Sequence, residues 1–416
     1  MAKRPTTETL ALDGGAPVRP KDRPLPQLFP RDIHPDAAGL VKEVLDSGFT
    51  ANMLGRYEAA FAEFCGARFA VGSTNCTAAC HTAIAICGLE RGDEVVVSPI
   101  SDYGSIQGVI VEGLVPVFAD VDLRTGNVTA ETIAAAITPR TRAAIVVGFY
   151  GLICEMGPIA EVCRKHNLIL IEDACQTITA TYKGRMSGNL ADITAFSTDA
   201  EKHMSTGGGG MITTHDEALA QKARRFGDGR GAEPAPGYGR LHSWLGYNYR
   251  LDDLRAAVGV AQLRWIQQQT ARRRQLAALL DREIEGIQGL LPRHIPEGCS
   301  HVFWLYDFRV EPEKFAAPVE QLAAAINAEV AGLNCGMGRY YLMPESVTIL
   351  HRNGPRHSSP AVEVARERYD YGPQMTPNAA EHVRRMIRWP FTDRYSEEDI
   401  ADIGRGIRKV LQAYAK

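Results

Sequence analysis

Leu170-Ile-Glu-Asp-Ala174 sets two carboxylates at the end of an otherwise apolar run, and period-2 alternation turns Glu172 and Asp173 to opposite faces. A carboxylate in that position can hold a protonated pyridine nitrogen by a charge-assisted hydrogen bond, keeping the ring an electron sink. Ala195-Phe-Ser-Thr-Asp-Ala-Glu-Lys202 puts a lysine just past a second apolar run and before the glycines Gly207–Gly210. A lysine partly withdrawn from water is nucleophilic enough to form an imine, and Ser197 can offer a hydroxyl to a phosphate. Gly72-Ser-Thr-Asn-Cys-Thr77-Ala-Ala reads as strand, small-residue turn and helix start. Backbone N–H groups and the helix dipole then converge on one point, as a phosphate requires. Pro99-Ile-Ser-Asp-Tyr103 follows another strand and brings an aromatic ring that can stack on a flat cofactor.

Each stretch also has a structural reading. Asp173 can cap a helix or pair with an arginine, and Lys202 can be a solvated lysine beside glycines. The serines and threonines can be ordinary N-caps, and Tyr103 can pack under a loop. His81 and His203 read as structural or surface groups, and Cys76 and Cys80 as small packing residues rather than metal ligands or nucleophiles. The chemical reading gains force because one cofactor would use all four stretches.

The elements that must carry these residues alternate along the chain. Apolar runs at Phe69–Thr74, Glu94–Pro99, Val115–Asp122, Ala143–Tyr150, Leu168–Asp173, Ile193–Thr198 and Gly210–Thr214 lack clean alternation, as strands covered on both faces do. Helix-forming segments such as Thr77–Cys87 and Thr129–Ile137 lie between them, which predicts an α/β fold with an open, mostly parallel seven-stranded sheet. Ligands of such sheets sit beyond the carboxyl ends of the strands. Thr214-His-Asp-Glu217 reads as a capping box, Gly227–Gly239 as a mobile loop, and about Leu251–Ile287 as a long helical region. A further helix is expected near Asp36–Leu45. Leu290–Ser300 reads as a joint, dividing a large domain (1–290) from a smaller C-terminal α+β domain (291–416). The latter closes on an amphipathic helix with Ile400, Ile403, Ile407, Val410, Leu411 and Tyr414 on one face.

Composition narrows the partners. The 416 residues carry a formal net charge of −3, with acids and bases mixed throughout, and no basic stripe suits a nucleic acid. The nine cysteines are scattered without C-x-x-C pairs, which fits a reducing cytoplasm better than a disulfide scaffold. No apolar run approaches the roughly 20 residues that span a bilayer, and residues 1–20 lack the apolar stretch of a signal peptide.

Taken in order, these stretches resemble fold-type-I pyridoxal 5′-phosphate (PLP) enzymes, and more narrowly the DegT/DnrJ/StrS sugar aminotransferases. Asn75-Cys-Thr-Ala-Ala is similar to that family's Ser-Gly-Thr-Ala-Ala turn, Glu172-Asp-Ala-Cys-Gln176 to its Glu-Asp-Ala-Ala-Gln/His segment, and Phe196-Ser to Lys202 keeps its spacing. Gly246-Tyr-Asn-Tyr-Arg-Leu-Asp-Asp-Leu-Arg-Ala-Ala257 resembles a fourth family motif, and Trp389-Pro-Phe its ending. The resemblance implies that Lys202 carries PLP as a Schiff base and shuttles the proton, while Asp173 pairs with the ring nitrogen. It implies that Gln176 lies by the ring hydroxyl and Tyr103 on the ring face. Thr77, Ser197 and the Cys76 amide would bind phosphate, with Asn248 reaching the phosphate of the neighbouring subunit in a homodimer with shared sites.

The implied activity moves an amino group from glutamate or glutamine to a keto-sugar or cyclitol ketone. Leu10-Ala-Leu-Asp-Gly-Gly-Ala-Pro-Val-Arg19 resembles the branch acting on inososes and aminoshikimate-type precursors. Cys76 departs from a usual glycine, Gly208 from a common acid, and Thr198–Glu201 from an aromatic-rich insert; all three flank the substrate pocket. Two rivals remain. A dehydratase on the same fold would carry histidine in place of Lys202, and His203 is one position out of register. A non-catalytic PLP-binding regulator would show no spectral change with any amino donor.

Overall fold

The computed structural model describes residues 8–337, 342–347, 364–365 and 367–416. Seven strands build the main sheet: β1 Phe69–Ser73, β2 Glu94–Val97, β3 Val115–Phe118, β4 Thr141–Val147, β5 Ile169–Asp173, β6 Ile193–Ser197 and β7 Gly210–Thr214. Their spatial order is β1-β7-β6-β5-β4-β2-β3. Of the seven, only β7 runs against the rest, pairing antiparallel with both β1 and β6. The unbroken apolar runs have a direct cause. Val95, Val97, Ile145 and Ile171 enter the core on one face of the sheet, while Val96, Ala144, Val146 and Leu170 enter the core on the other. Both faces being covered, both sets of alternate positions are mostly apolar.

A smaller antiparallel sheet follows, ordered Leu290–Leu291, Leu305–Val310, Met386–Pro390 and Gly336–Met337. Its core also takes in Leu276, Leu280 and Ile284 of the helix Ile266–Ile284, and Ile400, Ile403, Ile407, Val410 and Leu411 of the helix Glu397–Ala413. Leu10 and Leu25 join the same core. The N-terminal arm is pinned there by buried charge. Arg19 reaches Asp399 at 2.7 Å and Asp402 at 2.8 Å, while the Glu329 carboxylate accepts from the backbone N–H of Ala11 and Val18 and pairs with Lys409 at 2.9 Å. The Leu10–Arg19 motif therefore folds around a carboxylate of the helix Val319–Glu329.

Local chemistry moved several boundaries. The helix after β7 is capped by Asp216, whose Oδ1 accepts from the N–H groups of Ala218 and Leu219; Thr214 stays in the strand and donates to the Asp192 carbonyl. Asp216 won because a carboxylate one residue before the helix reaches two free N–H groups at once. The expected Leu251–Ile287 helix is two, Asp253–Gln262 and Ile266–Ile284. Within the expected Gly227–Gly239 loop region lies a hairpin, Ala232–Ala235 with Gly239–His242.

Three buried imidazoles give the fold a pH dependence. His382 Nδ1 donates to the Leu123 carbonyl at 2.9 Å, and burial brings its pKa down to about 4. Burial also holds His203 and His301 well below the ordinary value. These rings are neutral in the folded chain but take a proton in the unfolded chain below about pH 6.5. Stability should therefore be level above that pH and fall as pH drops towards about 4, with His382 alone accounting for up to roughly 3 kcal/mol. Urea midpoints across this window check the sign, and His382→Gln should flatten part of the slope. A midpoint that rises with acid would contradict it.

Candidate active site

Asn75, at the end of β1, caps the helix Cys76–Ala85 by accepting from the Ala78 N–H at 2.8 Å. The N–H groups of Cys76 and Thr77 in that first turn point off the helix end, where an anion is favoured. The helix Gly104–Val111 starts against the same space, close enough that a Cβ on Gly104 would sit 2.6 Å from Thr77 Oγ1. Strand β7 closes in from behind. A Cβ on Gly210 would lie 2.5 Å from the Asn75 carbonyl oxygen and 3.0 Å from the Cys76 nitrogen. Between these walls lies a cavity of about 280 Å³, which the ends of β5 and β6 also line.

Asp173 closes β5 and is 1% exposed. Its Oδ2 accepts from the Ser105 hydroxyl at 2.6 Å and its Oδ1 from the Cys175 N–H at 3.1 Å. Ser105 spends its proton on the carboxylate, so the Ser101 hydroxyl, 2.6 Å away, must donate to Ser105. These partners are all neutral. A buried carboxylate with neutral partners leaves a large gain for a cation placed beside it. Glu172 faces the other way, as alternation requires. It accepts from Ser187, the Gly188 N–H and Thr194, and burial raises its pKa against those bonds. It secures a turn.

Lys202 is half-buried on the crossover from β6 to β7, its Nζ 3.7 Å from the centre of the Trp304 ring. The Trp304 indole N–H donates to the Glu201 carbonyl at 3.0 Å, and Arg31 donates to the carbonyls of Lys202 and His203. His203 is buried and donates from Nε2 to the Val302 carbonyl at 2.9 Å, a structural part. Gln176 Oε1 accepts from the Tyr150 N–H at 2.7 Å, which leaves its NH₂ group for a partner in the cavity that Gln176 lines.

Cys76, Thr77, Asp173, Gln176, Ser197 and Lys202 thus line one cavity although they span over 120 positions of the chain. Tyr103 does not line it. It is the residue just before the helix Gly104–Val111, between Asp102 and Gly104 of the lining, and it is partly buried against the core that holds Ile84 and Ile106. Asn248 is exposed on its loop, also off the cavity wall. Ser105 and Trp304 were not foreseen. Ser105 carries a signal in hindsight, being four positions past Ser101; Trp304 carries none, since it arrives from a part of the chain a hundred residues downstream.

Over residues 31–408 the chain matches the DegT/DnrJ/EryC1/StrS aminotransferase family. It belongs to that family. This aminotransferase is 40% identical over 258 residues to GDP-perosamine synthase of Caulobacter vibrioides, covering 61% of this chain and 68% of that protein. It is 35% identical over 351 residues to L-glutamine:2-deoxy-scyllo-inosose aminotransferase of Streptomyces lividus, covering 80% and 81%. The solved aminotransferase from Psychrobacter cryohalolentis aligns with a TM-score of 0.81 at 28% identity, over 92% of this chain and 98% of that one. The family's cofactor is pyridoxal 5′-phosphate, and the aminotransferase is PLP-dependent.

The residues present fit that group. The aminotransferase offers a buried carboxylate with neutral partners, a lysine amine, hydroxyls on Thr77 and Ser197, and the first-turn N–H groups of a helix, all around one cavity. Glycine at 210 is what brings the β7 backbone against the helix start. Gly210→Ala should cost about 1–3 kcal/mol of stability and loosen cofactor retention, measured by urea denaturation and by PLP released on dialysis. Unchanged stability and retention would mean that the turn can move aside.

Proposed function

We propose that this enzyme transfers an amino group from L-glutamate or L-glutamine to a keto-sugar or cyclitol ketone, in amino-sugar or secondary-metabolite biosynthesis. The observation that carries the chemistry is the meeting of the Lys202 amine and the buried Asp173 carboxylate in one cavity. The substrate class is supported by the Streptomyces relative, whose name states a glutamine donor and an inosose. When bound, the cofactor supplies the electron sink. Asp173 would hold the proton on the ring nitrogen, and Lys202 Nζ would take the proton from the donor's α-carbon and return it. The Gln176 NH₂ would hold the ring oxygen, while Thr77, Ser197 and the Cys76 N–H fix the phosphate. Free thiols at all nine cysteines and the lack of a long apolar helix among the described residues support a cytoplasmic setting.

A homodimer with shared sites completes the proposal. Tyr247 and Tyr249 stack at 5.1 Å and lean together on His81, whose Nδ1 bonds the Tyr249 hydroxyl at 3.0 Å. Alternate residues of an extended segment face opposite ways, so Asn248 between them points outward. Tyr238, Leu241 and Leu245 stand exposed on the adjoining hairpin and loop, an apolar surface that a second copy would cover.

Two experiments test these points. Borohydride reduction of the holoenzyme should attach the cofactor to the peptide containing Lys202, and Lys202→Ala should abolish both the labelling and transamination; labelling of another peptide rules the assignment out. Mixing inactive Lys202→Ala and Asn248→Ala chains should restore up to about half the wild-type activity per dimer if Asn248 serves its neighbour, because one site then carries neither lesion. No recovery beyond the single mutants would place Asn248 in its own chain's site.

A further inference from the structure

The cavity holds two thiols, Cys76 and Cys80, for which amino transfer has no use, beside the Asp173 carboxylate. Cys76 and Cys80 stand one turn apart on the same helix, which puts both thiols on one face. Their Sγ atoms are 3.9 Å apart, and Cys76 Sγ is 3.9 Å from Asp173 Oδ1. One ligand atom from each of Cys76, Cys80 and Asp173 lies within 4.8 Å of the others. A tetrahedral ion with metal–sulfur bonds of about 2.3 Å and metal–oxygen bonds of about 2.1 Å needs ligand–ligand edges of roughly 3.7 Å, so the set is within about 1 Å of that geometry. Cys175 lines the same cavity beside Cys76 and supplies a further sulfur.

We propose that the cofactor-free chain binds a thiophilic divalent cation, Zn²⁺ in type, through Cys76, Cys80 and Asp173, and that this ion and PLP exclude each other. Sulfur ligands select zinc-like ions over Mg²⁺ or Ca²⁺, whose sites are built from oxygen. On binding, each of the two thiols loses its proton to solvent, and two thiolates plus one carboxylate around the divalent ion leave the site with one excess negative charge. The Lys202 amine and the two helix starts face that charge. Exclusion follows because Asp173 is shared: an oxygen bound to the metal is no longer free for a ring nitrogen. This last clause rests on the role given to Asp173 above, whereas the metal site itself rests only on the three side chains.

Co²⁺ is the probe, since thiolate ligation gives it an intense near-ultraviolet charge-transfer band. Added to the full-length chain freed of cofactor, it should bind at one equivalent and show that band, and Cys80→Ser should weaken binding at least about tenfold. PLP added to the cobalt-loaded protein should abolish the band as it releases the metal. A wild-type protein without the band, or a Cys80→Ser variant that binds cobalt equally well, overturns the site. Cobalt and PLP held together at one equivalent each overturns the exclusion. Borohydride labelling of the metal-free protein with PLP is the separate control on Lys202 and on cofactor binding, so a failure there is distinguishable from a failure of the metal site. Circular dichroism of Cys80→Ser shows that a lost band is not lost folding.

Discussion

A carboxylate buried at the end of a central strand governs how the site is put together. Ionised Asp173 cannot be left bare at that depth, because removing such a charge from water costs several kcal/mol even after the surroundings relax. Its hydrogen bonds fix the neighbouring elements in turn. Ser105 must stand at the start of the helix Gly104–Val111, with Ser101 behind it to free its proton, and the chain must turn at once after β5 so that the Cys175 N–H points back. Neutral donors steady the carboxylate without neutralising it. The attraction for a cationic ring is thus kept until the cofactor arrives, and the cysteines beside it inherit the same field. A hydrogen bond between Cys76 and Cys80 lowers the Cys80 pKa, yet burial and the Asp173 charge outweigh it and push that thiol up to about 12.

Lys202 depends on parts of the chain that the main sheet does not contain. Its carbonyl is held by Arg31 from the N-terminal arm, its side chain lies on Trp304, and the next residue is tied to Val302. Arg31 comes from the N-terminal arm, which Arg19 ties to the helix Glu397–Ala413, whereas Val302 and Trp304 precede the strand Leu305–Val310 and pack in the core on one face of the main sheet. Docking of these two segments against the main sheet therefore positions the amine. The cost of a defect there would show first as a misplaced lysine.

The sequence was most legible where the physics is local. Strand alternation separated Glu172 from Asp173 correctly, because a period of 2 is fixed by the backbone itself. The seven apolar runs matched the seven strands to within a few residues, since a sheet covered on both faces tolerates nothing else. Tyr103 is harder to place from sequence, because an aromatic ring at a helix start can lean either toward the cavity or onto the core. Spacing along the chain does not decide between them, since the core it packs against is assembled from several elements. Trp304 was invisible for a related reason: its value to Lys202 arises only once a segment a hundred residues downstream has packed against the main sheet. Capping at Asp216 shows a smaller limit, in which two acceptable caps stood two residues apart and the one reaching two N–H groups prevailed.

The loop carrying Asn248 joins these themes. The Tyr249 carbonyl accepts from the Thr74 N–H at 2.7 Å, so this loop is fastened to the turn that precedes the helix Cys76–Ala85. His81, inside that helix, is held between the Tyr249 hydroxyl and Glu112, and Glu112 is the cap residue of the helix Gly104–Val111. One imidazole thereby couples both helices that face the cavity to a loop whose outward residue is Asn248. A partner docking on that loop would not need to enter the cavity to affect it. A shift of Tyr249 would be felt first at Thr74 and His81, which tie the loop to the turn before the helix Cys76–Ala85 and to the far end of the helix Gly104–Val111.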